Sequence, residues 1–148
     1  MENEIWTAIK QIKRKEKILQ FEGYEVSNFG RVRTYKRKYG KVAKGAPNRP
    51  LATTPYIING RPDKSGYPLY CLSDITKKRH NIRGHTLVMQ SFLGFPENGE
   101  HILHYDDVKT NNRLDNLRYG TAKENQADRK RNKEKLLTST VDTASLVH

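Results

Sequence analysis

The sequence predicts an α+β fold in which an N-terminal β-hairpin precedes a strand, loop, strand and helix unit. Two patterns of alternating apolar and polar residues, each broken by a turn-forming run, predict hairpins over residues 24–33 and 67–83. Near-helical spacing of apolar residues predicts a short buried helix over residues 85–93, ending at Gly94. The length of 148 residues suits one compact domain, or one small domain with appendages.

The N-terminal elements follow from turn signals. Residues 3–20 fit a helix and a strand equally well, because their apolar and charged residues alternate without a clear period. The first hairpin has its turn at 28–30, where Asn and Gly flank Phe. Residues 41–66 are rich in Gly, Pro, Lys and Asn and are predicted to be a long loop or linker.

The C-terminal elements begin with a short apolar strand over residues 102–105. A turn-rich loop of Asp, Lys, Thr and Asn follows over residues 106–112, and a second strand is predicted over residues 117–120. The predicted order of elements is therefore strand, loop, strand and helix.

That last helix is predicted from its N-terminal capping signal. The hydroxyl of Thr121 can accept a hydrogen bond from a free backbone amide, and Glu124 stands three residues later as the capping-box partner. We expect the helix to run to about residue 137. Residues 138–148 are polar and rich in small side chains, which predicts a flexible tail.

The charge is strongly basic and unevenly distributed. The chain has 28 Lys and Arg against 16 Asp and Glu, a formal net charge of +12. Residues 1–50 alone hold 13 basic and 5 acidic side chains. Basic residues alternate with aromatic ones over residues 31–39, which favours a bound polyanion over a basic surface without a ligand.

Composition also excludes several classes of protein. No run of about 18 apolar residues occurs, and the acidic start of the chain does not resemble a signal peptide, so we expect a soluble, cytoplasmic protein without a membrane partner. The single cysteine, Cys71, allows neither an internal disulfide nor a zinc cage. A metal would bind through oxygen and imidazole ligands, which favours Mg²⁺, Mn²⁺ or Ca²⁺.

Three polar residues of the C-terminal unit are candidates for chemistry. His104 ends the first strand, Asn116 precedes the second strand, and Asn125 lies one turn into the helix. A histidine can take a proton from water, and a carboxamide oxygen can bind a cation, for which Asp128 shares the helix face of Asn125. The alternative is structural, because a strand histidine is usually structural and Asn-rich loops usually form turns.

These residues carry a resemblance to a known family. Residues 101–125 resemble the HNH nuclease core of phage and intron-encoded homing endonucleases, and residues 85–92 resemble the short helix before that core. Trp6 and residues 21–33 resemble the NUMOD4 module, a small DNA-binding element commonly fused ahead of such cores. The two motifs stand in the order expected for such proteins.

The resemblance implies a β-hairpin DNA-binding module over residues 3–40 and a ββα-metal (HNH) nuclease core over residues 67–137, which includes the preceding hairpin and helix. It implies an endonuclease that hydrolyses phosphodiester bonds of double-stranded DNA with a divalent metal, Mg²⁺ or Mn²⁺. It further implies a phage-encoded monomer in the host cytoplasm.

Carried over position by position, the resemblance assigns roles to single residues. His104 matches the general base that activates water. Asn116 matches the central asparagine that braces the loop, and Asn125 matches the helix residue that binds the metal.

One position departs from the family pattern. A carboxylate often precedes the base histidine as a metal ligand, and here that residue is Leu103. Asp128 or Asp106 could supply the missing oxygen, although Asp106 could equally be a turn residue. Leu103 also favours an alternative function, a non-cleaving DNA-binding protein or a protein inhibitor built on a degenerate HNH scaffold.

The predicted DNA contacts are basic and polar residues of the hairpin and of the core. They are Asn28, Arg31, Arg33, Lys36, Arg37, Lys38, Arg113 and Arg118. Arg and Lys can reach phosphates and base edges, while Tyr35 and Tyr39 pack against the sugar backbone. Four apolar and aromatic residues of the hairpin are expected to form a core face instead: Tyr24, Val26, Phe29 and Val32.

Overall fold

The structure is a computed structural model that describes residues 3–36, 51–121 and 123. Within these residues the chain forms small antiparallel sheets and one α-helix, α1 (Gly84–Leu93). This confirms the predicted α+β class. The strands are β1 (Trp6–Ala8), β2 (Gln11–Arg14), β3 (Lys17–Gln20), β4 (Tyr24–Ser27), β5 (Val32–Thr34), β6 (Tyr56–Ile58), β7 (Arg61–Pro62), β8 (Pro68–Ser73), β9 (Arg79–Arg83), β10 (His101–His104) and β11 (Leu117–Gly120).

The N-terminal sheet has the strand order β1-β4-β5-β6. Its centre is the predicted hairpin, in which Val26 pairs with Val32. Both valines are fully buried. Residues that pair directly across two strands point to the same side of the sheet, so this pair lies on the covered side. Gly30 closes the turn with φ 87°, a left-handed conformation that favours glycine.

The β2–β3 hairpin settles the open assignment of residues 3–20 in favour of strands. Ile12 pairs with Leu19, and the side chain of Ile12 is fully buried. Lys15 lies in the turn with φ 54°. The amide of Gln90 in α1 clamps this hairpin, since its Oε1 accepts from the Lys13 backbone amide at 2.7 Å and its Nε2 donates to the Lys13 carbonyl at 3.1 Å.

The β8–β9 hairpin confirms the second predicted hairpin. Leu72 and Ile82 are buried on the face that α1 covers, whereas Cys71 and Asn81 form an exposed pair. Asp74 shapes the turn, because its Oδ1 accepts hydrogen bonds from the backbone amides of residues 76 and 78 at 2.8 and 3.1 Å.

The prediction that residues 41–66 form a loop is wrong for two segments of the described part, residues 51–66. Residues 56–58 form β6, which extends the N-terminal sheet, and residues 61–62 form β7, which pairs with β8. The apolar run Tyr56–Ile58 pairs with β5, a partner that lies more than 20 residues earlier in the chain. Local composition does not reveal such a distant partner.

The strand, loop and strand unit has the predicted elements. Strands β10 and β11 are antiparallel, with His104 opposite Leu117, and a single 3₁₀ turn over Leu114–Asn116 closes the loop between them. The predicted helix beyond Thr121 lies outside the described residues, apart from Lys123. So do Arg37, Lys38, Asn125, Asp128 and the predicted tail over residues 138–148.

One hydrophobic core joins the N-terminal strands to the C-terminal unit. Helix α1 lies at its centre, with Leu87, Val88 and Met89 fully buried. The core residues from the other elements are Ile9, Ile12, Phe21, Tyr24, Val26, Val32, Tyr70, Leu72, Ile82 and Leu117. The predicted core face of the first hairpin is therefore confirmed for Tyr24, Val26 and Val32. No helix in the described part of the chain is long and apolar enough to cross a membrane.

Candidate active site

His104 lies at the end of β10 with its side chain almost fully buried, at 9% exposure. Its Nε2 lies 3.0 Å from Oδ1 of Asn112. An amide oxygen only accepts hydrogen bonds, so Nε2 carries the proton and Nδ1 carries the lone pair of the neutral ring. This contact fixes both the orientation and the tautomer of the imidazole.

Asn112 was not predicted as a functional residue. It is 5% exposed and lies between two glycines. A Cβ atom added at Gly30 would lie 2.8 Å from the Asn112 carbonyl oxygen, and one added at Gly84 would lie 2.7 Å from its Nδ2. The sequence shows only an Asn-rich loop, in which nothing distinguishes the asparagine that faces His104.

Asn116 ties the two ends of the loop together. Its Nδ2 donates to Oδ1 of Asp106 and to the carbonyl of Asn111, each at 2.9 Å. Its Oδ1 accepts from the Asp106 backbone amide at 3.3 Å. These bonds hold the segment that follows His104 in one conformation.

Asp106 directs both carboxylate oxygens into the loop. Oδ1 also accepts from the Val108 amide at 2.9 Å, and Oδ2 accepts from Nδ2 of Asn111 at 2.7 Å. Burial raises the pKa of Asp106, but these hydrogen bonds outweigh it and lower the pKa below its ordinary value. The structure favours the turn role of Asp106 over its predicted role as a metal ligand.

The described residues do not make up a metal site by themselves. Leu103 is 3% exposed and offers no donor atom. Within residues 3–36, 51–121 and 123, no three His, Cys, Asp or Glu side chains cluster so that they could hold a metal ion. Asn125 and Asp128, the other predicted ligands, lie outside these residues.

Two rings that sequence reasoning did not connect with catalysis lie beside His104. The ring centroid of His85, in the first turn of α1, is 5.4 Å from that of His104, and the Tyr67 ring is 6.1 Å away. Burial and the neighbouring His104 lower the pKa of His85 to about 3. His85 is therefore neutral at physiological pH.

Two cations line this ring cluster. The Arg83 guanidinium lies 4.1 Å from the centroid of Tyr67 and bonds Asp63 at 2.9 Å. Nζ of Lys109 lies 5.1 Å from the same centroid and donates to the Ser65 carbonyl at 2.7 Å. An oriented imidazole with positive charge nearby is suited to phosphodiester hydrolysis, which needs a proton acceptor and stabilisation of negative charge.

The structure directs the side chain of Asn28, a predicted DNA contact, into the protein. Its buried side chain accepts from the Ile5 amide at 2.7 Å and donates to the Asn3 carbonyl at 3.1 Å. Its backbone carbonyl accepts from the Leu114 amide at 2.9 Å, which joins the hairpin turn to the loop of the C-terminal unit. Asn28 is a structural turn residue, because all of its polar groups point into the protein.

Three of the predicted cations of the first hairpin, which lie within the described residues, are engaged within the protein. Arg31 pairs with Glu4, and Arg33 pairs with Glu25 at 2.7 Å while it stacks over the ring of Trp6. Lys36 donates to the Ser73 carbonyl at 3.1 Å.

The two predicted contacts in the core also lie against aromatic rings. Arg113 lies 4.4 Å from the ring centroid of Phe29, and Arg118 lies 5.2 Å from that of Tyr105. Besides the hydrogen bond from Leu114 to Asn28, Arg113 thus gives a second contact between the C-terminal unit and the turn of the N-terminal hairpin.

Comparison with known families agrees with this architecture. Residues 84–127 match the HNH endonuclease family, and residues 4–73 match the NUMOD4 motif. These matches confirm the resemblance that the sequence predicted, to an HNH endonuclease segment preceded by a NUMOD4 motif. The NUMOD4 match extends past residue 40, the predicted end of the N-terminal module.

A solved structure supports the same fold. The chain is 28% identical to a chain in the structure described as DNA binding and cleavage by the HNH homing endonuclease I-HmuI, with a TM-score of 0.56. The match covers 92% of this chain and 66% of the other, so this chain spans about two thirds of that protein's length. A search of curated proteins gives no significant match.

Proposed function

We propose that this protein is an HNH-type endonuclease that hydrolyses phosphodiester bonds of double-stranded DNA, with His104 as the general base. The observation that carries this proposal is the buried hydrogen bond between His104 and Asn112. It presents the Nδ1 lone pair as the proton acceptor. The HNH family match, and a similar protein whose structure concerns DNA binding and cleavage, support the choice of DNA as substrate.

In the proposed step, Nδ1 of His104 takes a proton from a water molecule whose oxygen bonds to phosphorus. The bond from phosphorus to the leaving sugar oxygen breaks, and solvent supplies a proton to that oxygen. Lys109 places positive charge near the reacting phosphate, whereas the charge of Arg83 is partly offset by its ion pair with Asp63. Because His85 is neutral, it places no repelling charge beside His104 as that ring becomes protonated.

The proposed cofactor is Mg²⁺ or Mn²⁺, with Asn125 as a ligand and Asp128 as a second candidate. A divalent ion at such a site supplies stabilisation of charge on the phosphate. The monomeric state and the cytoplasm of a phage host are part of the same proposal.

A plasmid-nicking assay with Mg²⁺ or Mn²⁺ tests the proposal. We expect His104→Ala and His104→Gln to lower the cleavage rate by about 10²- to 10⁴-fold, the usual contribution of a general base, with DNA affinity unchanged. His101→Ala is the matched control, since His101 is exposed at the opposite end of the same strand. Equal rates for wild type and both His104 variants would rule out the mechanism.

The second candidate is a DNA-binding protein that does not cleave, which the buried Leu103 favours because it replaces a carboxylate ligand. Tight DNA binding by the wild type with no product under any divalent ion would establish this alternative. Calorimetry with Mn²⁺ on the wild type and Asn125→Ala would then show whether any metal binds.

A further inference from the structure

A basic groove lies between the β2–β3 hairpin and the turn of the β8–β9 hairpin. It has a volume of about 470 Å³. The polar residues that line it are Arg14, Lys15, Lys17, Asp74, Lys78 and His80. All four cations are exposed to solvent, and none was among the predicted DNA contacts.

The cations of this groove differ from those of the first hairpin in their partners. In the described part of the chain, none of the four forms an ion pair. Asp74 is directed inward, with Oδ1 2.5 Å from the Thr76 hydroxyl and Oδ2 2.7 Å from Nε2 of His80. Arg31 and Arg33, by contrast, pair with glutamates. Most of the positive charge in the groove is therefore not offset by acidic side chains and is available to a ligand.

The two basic elements are held in a fixed arrangement. The backbone amide of Ile75 donates to the Gln20 carbonyl at 2.9 Å, which ties the β8–β9 turn to β3. The side chain of Gln90 holds β2 through its two bonds to Lys13. The four cations consequently face the groove from two hairpins that are hydrogen-bonded to each other, and their spread over both hairpins suits a repeating anionic backbone.

We propose that this groove binds the sugar–phosphate backbone of the double-stranded DNA that the active site cleaves. The inference rests on the proposed function. Strand β8 leads from Pro68, next to Tyr67 of the ring cluster, to Ser73, next to Asp74 of the groove. At about 3.3 Å per residue its six residues span roughly 20 Å, or about six base pairs of duplex at about 3.4 Å each. A duplex that runs along β8 from the active site would therefore reach the groove about six base pairs from the cleaved bond.

The test compares two variants with the same change in charge. Lys15→Gln/Lys78→Gln removes one cation from each side of the groove, and the control Lys10→Gln/Arg61→Gln removes two exposed cations that do not line it. We measure Kd for a 40-base-pair duplex as a function of salt. Loss of two phosphate contacts lowers the slope of log K against log salt by about 1.8. We expect this reduction, and a Kd at least about tenfold higher at low salt, for the groove variant, and a slope near that of wild type for the control.

An unchanged slope in the groove variant, or an equal loss in the control, would overturn the inference. Cleavage at saturating DNA separates this result from failure of the proposed function. A groove variant that cleaves at the wild-type rate once DNA is saturating supports a binding role. A wild type that binds DNA with the expected slope but cleaves nothing supports the groove and overturns only the endonuclease proposal, whereas a wild type that binds no DNA overturns both.

A series of duplexes gives a second readout. Substrates with ten base pairs on one side of the nicked bond, and between two and ten on the other, vary the length of DNA that can reach the groove. We expect affinity to drop when fewer than about six base pairs remain on one side, and we expect Lys15→Gln/Lys78→Gln to remove this dependence. Equal dependence in the variant would count against the assignment.

Discussion

The proposed base depends on one neighbour. His104 is buried, so the hydrogen bonds of its ring nitrogens are set mainly by neighbouring protein groups and less by solvent. Asn112 provides the acceptor for Nε2. A histidine acts as a base only through an unprotonated nitrogen, and the bond to the other nitrogen decides which one that is. Asn112 is therefore a positioning residue in the proposed mechanism.

Replacing Asn112 with aspartate should change the pH dependence of cleavage. A carboxylate beside Nε2 stabilises the protonated ring, because an opposite charge favours the charged form. We expect the acidic limb of the kcat/KM profile to move to higher pH in Asn112→Asp, while Asn112→Ala lowers the rate at every pH. Asn81→Asp on the exposed face of β9 is the control. A profile unchanged in Asn112→Asp would show that this contact does not position the base.

His85 should make stability fall in mild acid. Its pKa is about 3 in the folded protein, against an ordinary value of 6.5. Between these values the unfolded chain binds a proton that the folded chain does not, so the contribution of neutral His85 is present above pH 6.5 and is lost as the pH falls. We expect Tm to fall less between pH 7.5 and 5 in His85→Asn than in wild type. His101→Asn is the control, and an equally steep fall in His85→Asn would contradict the prediction.

The N-terminal hairpin and the loop of the C-terminal unit meet at one junction. The Leu114 amide bonds the Asn28 carbonyl, Arg113 lies over Phe29, and Gly30 lies against Asn112. The turn of the NUMOD4 segment thus supports the asparagine that orients His104. A change in this turn should therefore alter the position of Asn112 and His104 in the candidate active site.

Gly30→Ala tests this junction. Gly30 has φ 87°, and an added Cβ would lie 2.8 Å from the Asn112 carbonyl oxygen. Gly99 has φ 83° with nothing within 4 Å of an added Cβ, so Gly99→Ala measures the left-handed backbone cost alone, about 1–2 kcal/mol. We expect Gly30→Ala to lose more stability than Gly99→Ala and to lower the nicking rate as well. Equal losses, with unchanged nicking, would show that the turn does not support the site.

Elements set by local patterns could be predicted from the sequence, and elements set by distant pairing could not. Both hairpins, α1 and strands β10 and β11 follow from turn residues and periodicity. Strand β6 could not be predicted, because its partner β5 is distant in the chain. The inward orientation of Asn28 could not be predicted either, because an asparagine at a turn looks the same in the sequence whether its role is structural or in binding.

The site divides in the same way. The chain position of His104 made it a candidate, but its proximity to His85 and Tyr67 arises only when α1 packs against β10 and β8. The internal pairing of Arg33 with Glu25 likewise requires the register of β4 against β5. The number of cations in a segment therefore did not reveal which of them remain available to DNA.

The whole described chain is organised around α1. This helix buries Leu87, Val88 and Met89 among apolar residues from the N-terminal strands as well as from β8, β9 and β11. The residues that match the NUMOD4 motif and those that match the HNH family consequently share one core, and we expect them to unfold together.

Leu87→Ala measures this coupling, because Leu87 is fully buried in α1 while Trp6, the single tryptophan, lies in β1. Loss of a buried leucine side chain costs about 2–5 kcal/mol, and Leu93→Ala is the control, since Leu93 is 62% exposed on the same helix. We expect the denaturation midpoints from Trp6 fluorescence and from far-UV circular dichroism to fall together in Leu87→Ala and to stay near wild type in Leu93→Ala. A Trp6 midpoint that stays in place while the circular dichroism midpoint falls would show that the N-terminal strands fold independently. The turn at Gly30 would then not share a core with α1, and it could not be what keeps Asn112 in place beside His104.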